Sequence, residues 1–225
     1  KGVVKYNGYY FENFNSQSTP SLLNDTSYKI IEDKDHNYWI TSEGGLTKIN
    51  GDHSSYYFDG YVSNIIATEN NLLVVFKNTL YSYNSNADAF EQFEGFPFSE
   101  NITSIYSIGD NSIIINKKAE SFYYNDALNE YEKIEDFNNV KVDDYIEFDS
   151  HYLIVLRNKG LFKFYKTSKT IEKLENLSLL SNDIVGIKSF SGNKDYNLIV
   201  IYDNGDSTKL NINNDYYIHQ RNNKN

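Results

Sequence analysis

The feature that most constrains this chain is a five-residue pattern that recurs six times, at intervals of 34 to 46 residues. Each copy has a large apolar residue at its fourth position, and five of the six copies end in Asn. The copies are residues 3–7, 46–50, 80–84, 121–125, 161–165 and 207–211. Apolar and aromatic residues followed by Asn are typical of a strand that ends in a turn. Recurrence at this interval predicts a repeat protein.

The residues around each copy of the pattern predict four short strands per repeat. A run rich in Leu, Ile and Val precedes five of the copies, as expected for a strand that is covered on both faces. These runs are residues 38–41, 72–76, 112–116, 153–156 and 198–202. An opening strand comes before each run, and a fourth strand follows each pattern. Four strands in about 40 residues is the period of a β-propeller blade, because radial stacking covers both faces of each sheet.

The sequence therefore predicts an all-β fold: a β-propeller segment of about five four-stranded blades plus a half blade at the N-terminus. We expect one propeller, partial or small, over residues 1–225. Its predicted blades are residues 1–14 (the half blade), 21–58, 61–93, 96–134, 139–174 and 177–219. The half blade has only the last two strands of a blade. Either its other strands lie outside this chain or a reduced sixth blade closes the ring, and we expect a segment of a larger propeller.

Composition argues against several classes of function. A net charge of −10 gives the chain no electrostatic attraction to nucleic acid or to an anionic membrane surface. The absence of Cys excludes disulfides, thiol catalysis and Cys-ligated zinc. No apolar run reaches the roughly 18 residues of a membrane-spanning helix, so we expect no direct membrane insertion. The chain contains no Met, which indicates a piece of a longer protein.

The sequence predicts no enzyme activity, no cofactor and no metal site. It has no Gly-x-Ser-x-Gly motif, no phosphate-binding glycine loop and no His-Glu-x-x-His motif. None of the four histidines pairs with another at metal-ligand spacing. Residues 33–37 have the alternating oxygen ligands that begin a calcium loop, but the Gly at its sixth position and the distal Glu are missing. We interpret this segment as a hairpin turn.

The candidate ligand-binding residues lie in the predicted turns between the second and third strands of the blades. In a propeller these turns share one face with the blade-to-blade connections. The candidates in the turns are Glu43, Lys77, Asn78, Lys118, Arg157 and Lys159. A ring formed by Lys77, Lys118 and Arg157 would favour an acidic ligand on this acidic protein. The alternative is that these turns are polar only because they face solvent.

Three aromatic residues have two interpretations each. Phe96 and Phe98 flank Pro97 in a connection on the same face as the turns. Exposed, they would stack on carbohydrate; buried, they would pack between two blades, which is the interpretation we favour. Trp39 could be a sugar-stacking platform or a core residue, and its place between Tyr38 and Ile40 in a strand favours packing between blades.

Residues 22–46 resemble the two-component regulator propeller repeat. Residues 22–33 (LLNDTSYKIIED) match the first half of its pattern, and residues 37–46 (NYWITSEGGL) match the second half. Weaker matches occur at residues 95–97 and 179–184. Repeats of this family form extracytoplasmic sensor regions of hybrid histidine kinases and related regulators, chiefly in Bacteroidetes. Propellers related to a Bacteroidetes protein-secretion system carry similar repeats.

The resemblance implies the ligand-sensing part of a periplasmic or extracytoplasmic propeller, in a two-component receptor whose parent chain is membrane-anchored. It implies an oligosaccharide or another small ligand. Further partners would be neighbouring blades or domains of the parent chain, and a homodimer whose packing changes on binding. The alternative is a structural or protein-docking propeller of a cell-envelope or secretion-associated assembly. A propeller hydrolase or lyase is the weakest hypothesis, because no set of catalytic groups recurs in the loops.

Overall fold

The computed structural model consists of strands joined by turns and short connections. It describes residues 2–6, 8–94, 96, 99–134, 141–174, 184–192, 195–202, 207–213 and 216–222. Within these ranges there is no helix, so none that could cross a membrane. Contacts between residues divide the chain into two compact units. Unit 1 is Lys1–Lys118 with Tyr124–Tyr131, and unit 2 is Ala119–Tyr123 with Glu132–Asn225.

The strands form one two-stranded sheet and five four-stranded sheets, each an antiparallel meander in chain order. The half blade is β1 (Val3–Tyr6) and β2 (Phe11–Phe14). Blade 1 is β3 (Ser27–Glu32), β4 (Tyr38–Ser42), β5 (Gly45–Asn50) and β6 (His53–Tyr57). Blade 2 is β7 (Val62–Ala67), β8 (Leu72–Phe76), β9 (Thr79–Asn84) and β10 (Ala89–Gln92).

The remaining sheets repeat the same order. Blade 3 is β11 (Ile102–Ser107), β12 (Ser112–Lys117), β13 (Glu120–Asn125) and β14 (Glu130–Lys133). Blade 4 is β15 (Val142–Glu147), β16 (His151–Leu156), β17 (Gly160–Tyr165) and β18 (Ile171–Lys173). Blade 5 is β19 (Ile184–Gly192), β20 (Asp195–Tyr202), β21 (Ser207–Asn213) and β22 (Tyr216–Asn222). The predicted all-β fold of five four-stranded blades and a half blade is confirmed. Blade 5 extends to Asn222, past the predicted end at 219.

Burial follows the order of strands within a blade. The Leu/Ile/Val-rich second strands β8, β12 and β16 are almost entirely buried. The fourth strand β14 is exposed along its whole length, and β18 is mostly exposed. A continuous apolar run is expected where a sheet is covered on both faces, and the packing of neighbouring blades supplies that cover.

The core between blades is built the same way in both units. In unit 1, Trp39 and Leu46 of blade 1 pack against Val62, Ile65 and Val74 of blade 2. In unit 2, Leu153, Val155 and Leu161 of blade 4 pack against blade 5 through Ile184, Ile187 and Val200. The second and third strands of one blade thus cover the first and second strands of the next. Trp39 is fully buried, so the predicted packing between blades is confirmed.

The turn at residues 33–37 is organised by the carboxylate of Asp33. It accepts hydrogen bonds from Trp39 Nε1 at 2.7 Å, from the Asn37 side chain at 2.9 Å and from the backbone N–H groups of Asp35 and Asn37. Partial burial acts to raise the pKa of Asp33, but these hydrogen bonds outweigh it and hold the pKa below its ordinary value. The calcium-like spacing is therefore accounted for as a hairpin turn that also fixes the buried indole.

Every four-stranded sheet has an irregularity at the same place, between its first and second strands. The register shifts by one residue between Ser27 and Lys29 in blade 1. The same shift recurs between residues 62 and 64, 102 and 104, 142 and 144, and 184 and 186. Each shift is a β-bulge, in which one extra residue leaves the ladder. We refer to Tyr28, Ser63, Thr103, Asp143 and Val185 as the bulge residues.

An acidic side chain links blades 1 and 2 outside the apolar core. Asp88, in a turn of blade 2, accepts hydrogen bonds from Tyr57 Oη at 2.6 Å, from Lys48 Nζ at 3.1 Å and from Tyr83 Oη. Hydrogen bonds from Tyr57, Tyr83 and Lys48 lower the pKa of Asp88 to about 2. Burial, with the bond to Asp88, raises the pKa of Tyr83 to about 12.

We expect Asp88→Asn to lower the free energy of unfolding by about 1 kcal/mol at pH 7, since solvent screens this exposed carboxylate. The folded pKa of about 2 lies below the ordinary value of 3.8. The stabilising contribution of the ionised Asp88 carboxylate is therefore complete above about pH 4 and is lost as the pH falls through 2. Urea unfolding at pH 7, 3 and 2 measures it, with exposed Asp59→Asn as control, expected to change stability by less than about 0.5 kcal/mol. A difference between wild type and Asp88→Asn that grows on acidification would contradict this assignment.

Candidate ligand-binding rim

The six polar candidates lie in turns between second and third strands, at the end of each blade that we call the rim. All six are exposed: Glu43, Lys77, Asn78, Lys118, Arg157 and Lys159. Lys77 and Asn78 form the two-residue turn between β8 and β9, and their φ angles are 49° and 61°. Two positive φ angles define a type I′ turn, which matches the twist of the strands it joins. The side chains of such a tight turn project into solvent.

The blade-to-blade connections lie against these turns, as the sequence predicted. The N–H of Gly60, in the connection between blades 1 and 2, donates to the carbonyl of Gly44 at 3.1 Å. The N–H of Ile102, which follows the next connection, donates to the carbonyl of Asn78 at 2.9 Å. The rim is therefore a surface made of two kinds of loop held together by backbone hydrogen bonds.

The cationic candidates do not form one described group. Lys77 and Lys118 belong to unit 1, whereas Arg157 and Lys159 belong to unit 2. Arg157 is engaged by the bulge residue Asp143, at 2.6 Å from Nη2 and 2.8 Å from Nε to the same Oδ1 atom. Lys77 Nζ lies 4.9 Å from the centre of the Phe76 ring. An acidic ligand at Arg157 would have to compete with Asp143 for the guanidinium.

Phe96 is buried and packs between two blades, so it is not an exposed platform for carbohydrate. It is 3% exposed and meets Tyr124 and Tyr131 of blade 3 edge-on, at 6.1 and 5.2 Å between ring centres. Its ring packs between blades 2 and 3 and has no face open for stacking on a sugar. The structure therefore corrects the prediction that Phe96 is a ligand-binding residue. Phe98 lies outside the described residues.

A pair of tyrosines that sequence reasoning missed lies on the rim. Tyr28 and Tyr61 are 54% and 53% exposed, and their rings meet edge-to-face at 5.2 Å. Tyr28 is the bulge residue of blade 1, and Tyr61 directly precedes β7 of blade 2. The pair joins the first strands of two adjacent blades. The signal available in the sequence was that the equivalent residues of several other blades are polar. They are Ser63, Thr103 and Asp143 for Tyr28, with Val185 as the exception, and Thr26, Asn101 and Lys141 for Tyr61.

Backbone contacts place Glu43 beside this tyrosine pair. The Glu43 N–H donates to the Thr26 carbonyl at 3.2 Å, two residues before Tyr28. The neighbouring Gly44 accepts from Gly60, which immediately precedes Tyr61. Two exposed rings and one exposed carboxylate therefore occupy one part of the rim. Aromatic rings offer rigid contact area to the C–H face of a ligand, and a carboxylate accepts hydrogen bonds from its hydroxyl groups.

One of the described histidines, His36, lies at the opposite end of blade 1 from the rim. His36 Nδ1 is 2.5 Å from Glu32 Oε1, and the hydrogen bond with this carboxylate raises the pKa of His36. Across the described ranges, no three His, Asp or Glu side chains are grouped as a metal ion would require.

The repeated four-stranded sheets, each with its turns and connections gathered at one end, define a class of protein: a β-propeller segment. Its structure is similar to the extracellular domain of BT4673 from B. thetaiotaomicron, assigned as a hybrid two-component system, with a TM-score of 0.55 and 15% identity. That match covers 87% of this chain and 33% of the other. The extracellular domain of BT3049, from the same organism and with the same assignment, matches with a TM-score of 0.53 and 13% identity, covering 91% and 36%.

A third similar structure comes from a different kind of system. It is PorZ, an essential bacterial surface component of the type-IX secretion system of Porphyromonas gingivalis, with a TM-score of 0.56, 12% identity and coverage of 90% and 27%. This chain spans about a third or less of the length of these proteins. No protein-family model and no curated protein sequence matches the chain. At these identities the similarity shows the fold, and it agrees with the propeller-repeat resemblance of residues 22–46.

Proposed function

We propose that this chain is a ligand-sensing part of an extracytoplasmic β-propeller in a two-component signalling receptor, without catalytic activity of its own. The extracellular domains of BT4673 and BT3049 support this class and location. The observation that carries ligand binding is the exposed pair Tyr28 and Tyr61 beside Glu43. A neutral oligosaccharide fits this chemistry, because its C–H faces suit the rings and its hydroxyl groups suit the carboxylate.

The position of the pair explains how binding could be sensed. Tyr28 and Tyr61 belong to adjacent blades, so a ligand that contacts both rings binds one relative placement of the two blades better than another. Such differential affinity is what allows a ligand to shift a conformational equilibrium. In a receptor, this shift would alter how propellers pack in a dimer and would pass to a membrane-anchored output domain.

Glycan binding to the purified chain tests this proposal. Oligosaccharides are screened by thermal shift, and dissociation constants of those that stabilise the chain are measured by calorimetry. We expect Tyr61→Ala and Tyr28→Ala each to weaken binding at least about tenfold, as for a central aromatic contact. The control is Tyr9→Ala, a 94% exposed tyrosine of the half blade, which should leave the dissociation constant unchanged.

Two results would count against the tyrosine site. Binding that survives Tyr28→Ala with Tyr61→Ala, but is lost in Lys77→Ala with Lys118→Ala, would mean an acidic ligand held by the rim cations. No stabilisation by any oligosaccharide would favour the second candidate function, a structural or protein-docking propeller of a cell-envelope assembly. The similarity to PorZ and the exposed apolar residues of the half blade favour that alternative.

A further inference from the structure

Thr41 is a buried polar residue at a position that is mostly apolar in the other blades. It is 2% exposed and lies in β4 of blade 1, opposite Lys29, the residue that follows the bulge. The residues at the same position of the other second strands are Val75, Asn116, Val155 and Ile201. A buried hydroxyl group is costly unless it forms hydrogen bonds, so its partners show what it contributes.

A side-chain hydroxyl links the first and second strands at the bulge in each of blades 1, 2 and 3, but its source differs. In blades 2 and 3 the bulge residues supply it, since Ser63 Oγ and Thr103 Oγ1 donate to carbonyl groups of the second strand at 3.0 and 3.3 Å. The bulge residue of blade 1, Tyr28, has its only hydroxyl at the far end of the ring. There the second strand supplies the group instead, and Thr41 Oγ1 accepts a hydrogen bond from the Lys29 N–H at 3.1 Å.

The hydrogen bond to Thr41 constrains the backbone that carries the Tyr28 ring. The Lys29 N–H belongs to the planar peptide group that joins Tyr28 to Lys29, so the orientation of this group constrains the ψ angle of Tyr28. Before the bulge, the Thr26 carbonyl accepts from the Glu43 N–H at 3.2 Å. Tyr28 itself has no partner in the ladder. The direction of its side chain therefore depends on the hydrogen bonds of its neighbours.

We infer that Thr41 is a positioning residue for Tyr28 and holds its exposed ring in the orientation that meets Tyr61. The expected effect on ligand affinity rests on the proposed function, whereas the ring contact, at 5.2 Å between centres, is present without a ligand. The inference also explains how blade 1 accommodates an aromatic bulge residue. In blades 2 and 3 the bulge side chain bonds the second strand, and in blade 1 the second strand releases it from that task.

Two substitutions at Thr41 separate the hydroxyl group from the rest of the side chain. Thr41→Val keeps the branched shape and leaves the Lys29 N–H without its acceptor, while Thr41→Ser keeps the hydroxyl and loses a methyl group. The matched control is Thr47→Val, in β5, which does not pair with the first strand. Thr47 is 1% exposed, and its Oγ1 accepts from the Leu23 N–H at 3.0 Å. The control thus removes the same kind of buried hydrogen bond from the same blade.

The ring contact and the backbone hydrogen bond are measured without a ligand. Nuclear Overhauser effects between the Tyr28 and Tyr61 rings, assigned with Tyr28→Phe and Tyr61→Phe, report the contact, and amide hydrogen exchange of Lys29 reports the bond. We expect Thr41→Val to abolish the ring cross-peaks and to speed Lys29 exchange about fivefold relative to Thr47→Val, the equivalent of one ordinary hydrogen bond. Thr41→Ser should restore both, and Thr47→Val should keep the cross-peaks.

Binding is measured by calorimetry with neutral oligosaccharides, namely cellohexaose, maltohexaose and mannohexaose. For those that bind the wild-type chain, we expect Thr41→Val to raise the dissociation constant at least about fivefold, because the two rings no longer present one surface. Thr41→Ser and Thr47→Val should each change it by less than about twofold.

Two results would overturn the positioning role. The first is a Thr41→Val chain with the ring cross-peaks and the Lys29 exchange rate of the wild type. The second is an equal loss of the cross-peaks in Thr41→Val and Thr47→Val, which would make the effect a general consequence of destabilising blade 1. Loss in Thr41→Val alone, regained in Thr41→Ser, supports the positioning role. If none of the oligosaccharides bound the wild-type chain, that separate result would count against the proposed function.

Discussion

Replacing Trp39 with alanine is expected to lower the free energy of unfolding by about 4 kcal/mol, the middle of the range for truncating a buried aromatic residue. The indole is fully buried between blades 1 and 2 and lies edge-on to Tyr83 and Phe90, at 4.8 and 5.6 Å between ring centres. Its Nε1 also donates to Asp33 at 2.7 Å. The substitution would leave both a cavity and a carboxylate without one of its donors.

Urea unfolding followed by circular dichroism measures this effect, because Trp39 is the single tryptophan and cannot serve as the probe in its own absence. Trp39→Phe keeps most of the ring contacts and loses the indole N–H, so we expect roughly half the effect of alanine. Tyr9→Ala is the surface control, with a change below about 0.5 kcal/mol. A loss of less than about 1 kcal/mol in Trp39→Ala would show that the core between these blades is not organised around the indole.

Substitution of Gly45 by alanine should destabilise the chain by about 3 kcal/mol, through backbone strain and overpacking together. Gly45 begins β5 with a φ of 143°, which side chains other than hydrogen rarely allow. A Cβ atom there would lie 2.6 Å from the Phe58 carbonyl oxygen, 2.9 Å from the Tyr57 carbonyl oxygen and 2.8 Å from Leu23 Cδ2. Two of these three atoms belong to the backbone, so the clash cannot be relieved by a side-chain rotation.

The preceding glycine offers a matched control. A Cβ atom on Gly44 would meet the Asn24 and Leu23 side chains at ordinary contact distances of 3.4 Å and more. We expect Gly44→Ala to change the free energy of unfolding by less than about 0.5 kcal/mol. Gly51 has a φ of 57°, and a Cβ atom there would meet no neighbour within 4 Å. Gly51→Ala therefore measures backbone strain without a steric clash, and we expect it to lower the free energy of unfolding by about 1 kcal/mol. Equal effects of Gly44→Ala and Gly45→Ala in the same unfolding assay would refute the steric explanation.

The blades were predictable from sequence because their determinants are local. A Leu/Ile/Val run such as 72–76 needs cover on both faces, and an Asn after an apolar residue marks the end of a strand. The burial of Trp39 followed from its position within such a run. Likewise, the turn at Lys77 and Asn78 was visible as two polar residues between apolar runs, and its position on the rim followed from the order of strands.

The rim chemistry was less predictable because it depends on contacts between distant residues. Tyr28 and Tyr61 are far apart in sequence and meet only because two first strands are neighbours in space. The ion pair of Arg157 with Asp143 arises because the bulge in blade 4 turns Asp143 out of the ladder, and no Gly or Pro marks that bulge. Packing of Phe96 between blades was the favoured interpretation from sequence, and Tyr124 and Tyr131 of blade 3 are the partners that the sequence did not identify.

The repeated bulge lets each first strand use different residues for two tasks. Most of its residues pair with the second strand, and one inserted residue presents a side chain that pairing does not constrain. Five residues of the first strand in blades 1 to 4, and eight in blade 5, keep the ladder intact, while one inserted residue is released from pairing. That position can therefore hold Ser, Thr, Asp, Val or Tyr without disturbing the sheet, as the five blades of this chain demonstrate. Recognition properties of such a propeller could be diversified one blade at a time, by exchanging single inserted side chains on an unchanged scaffold.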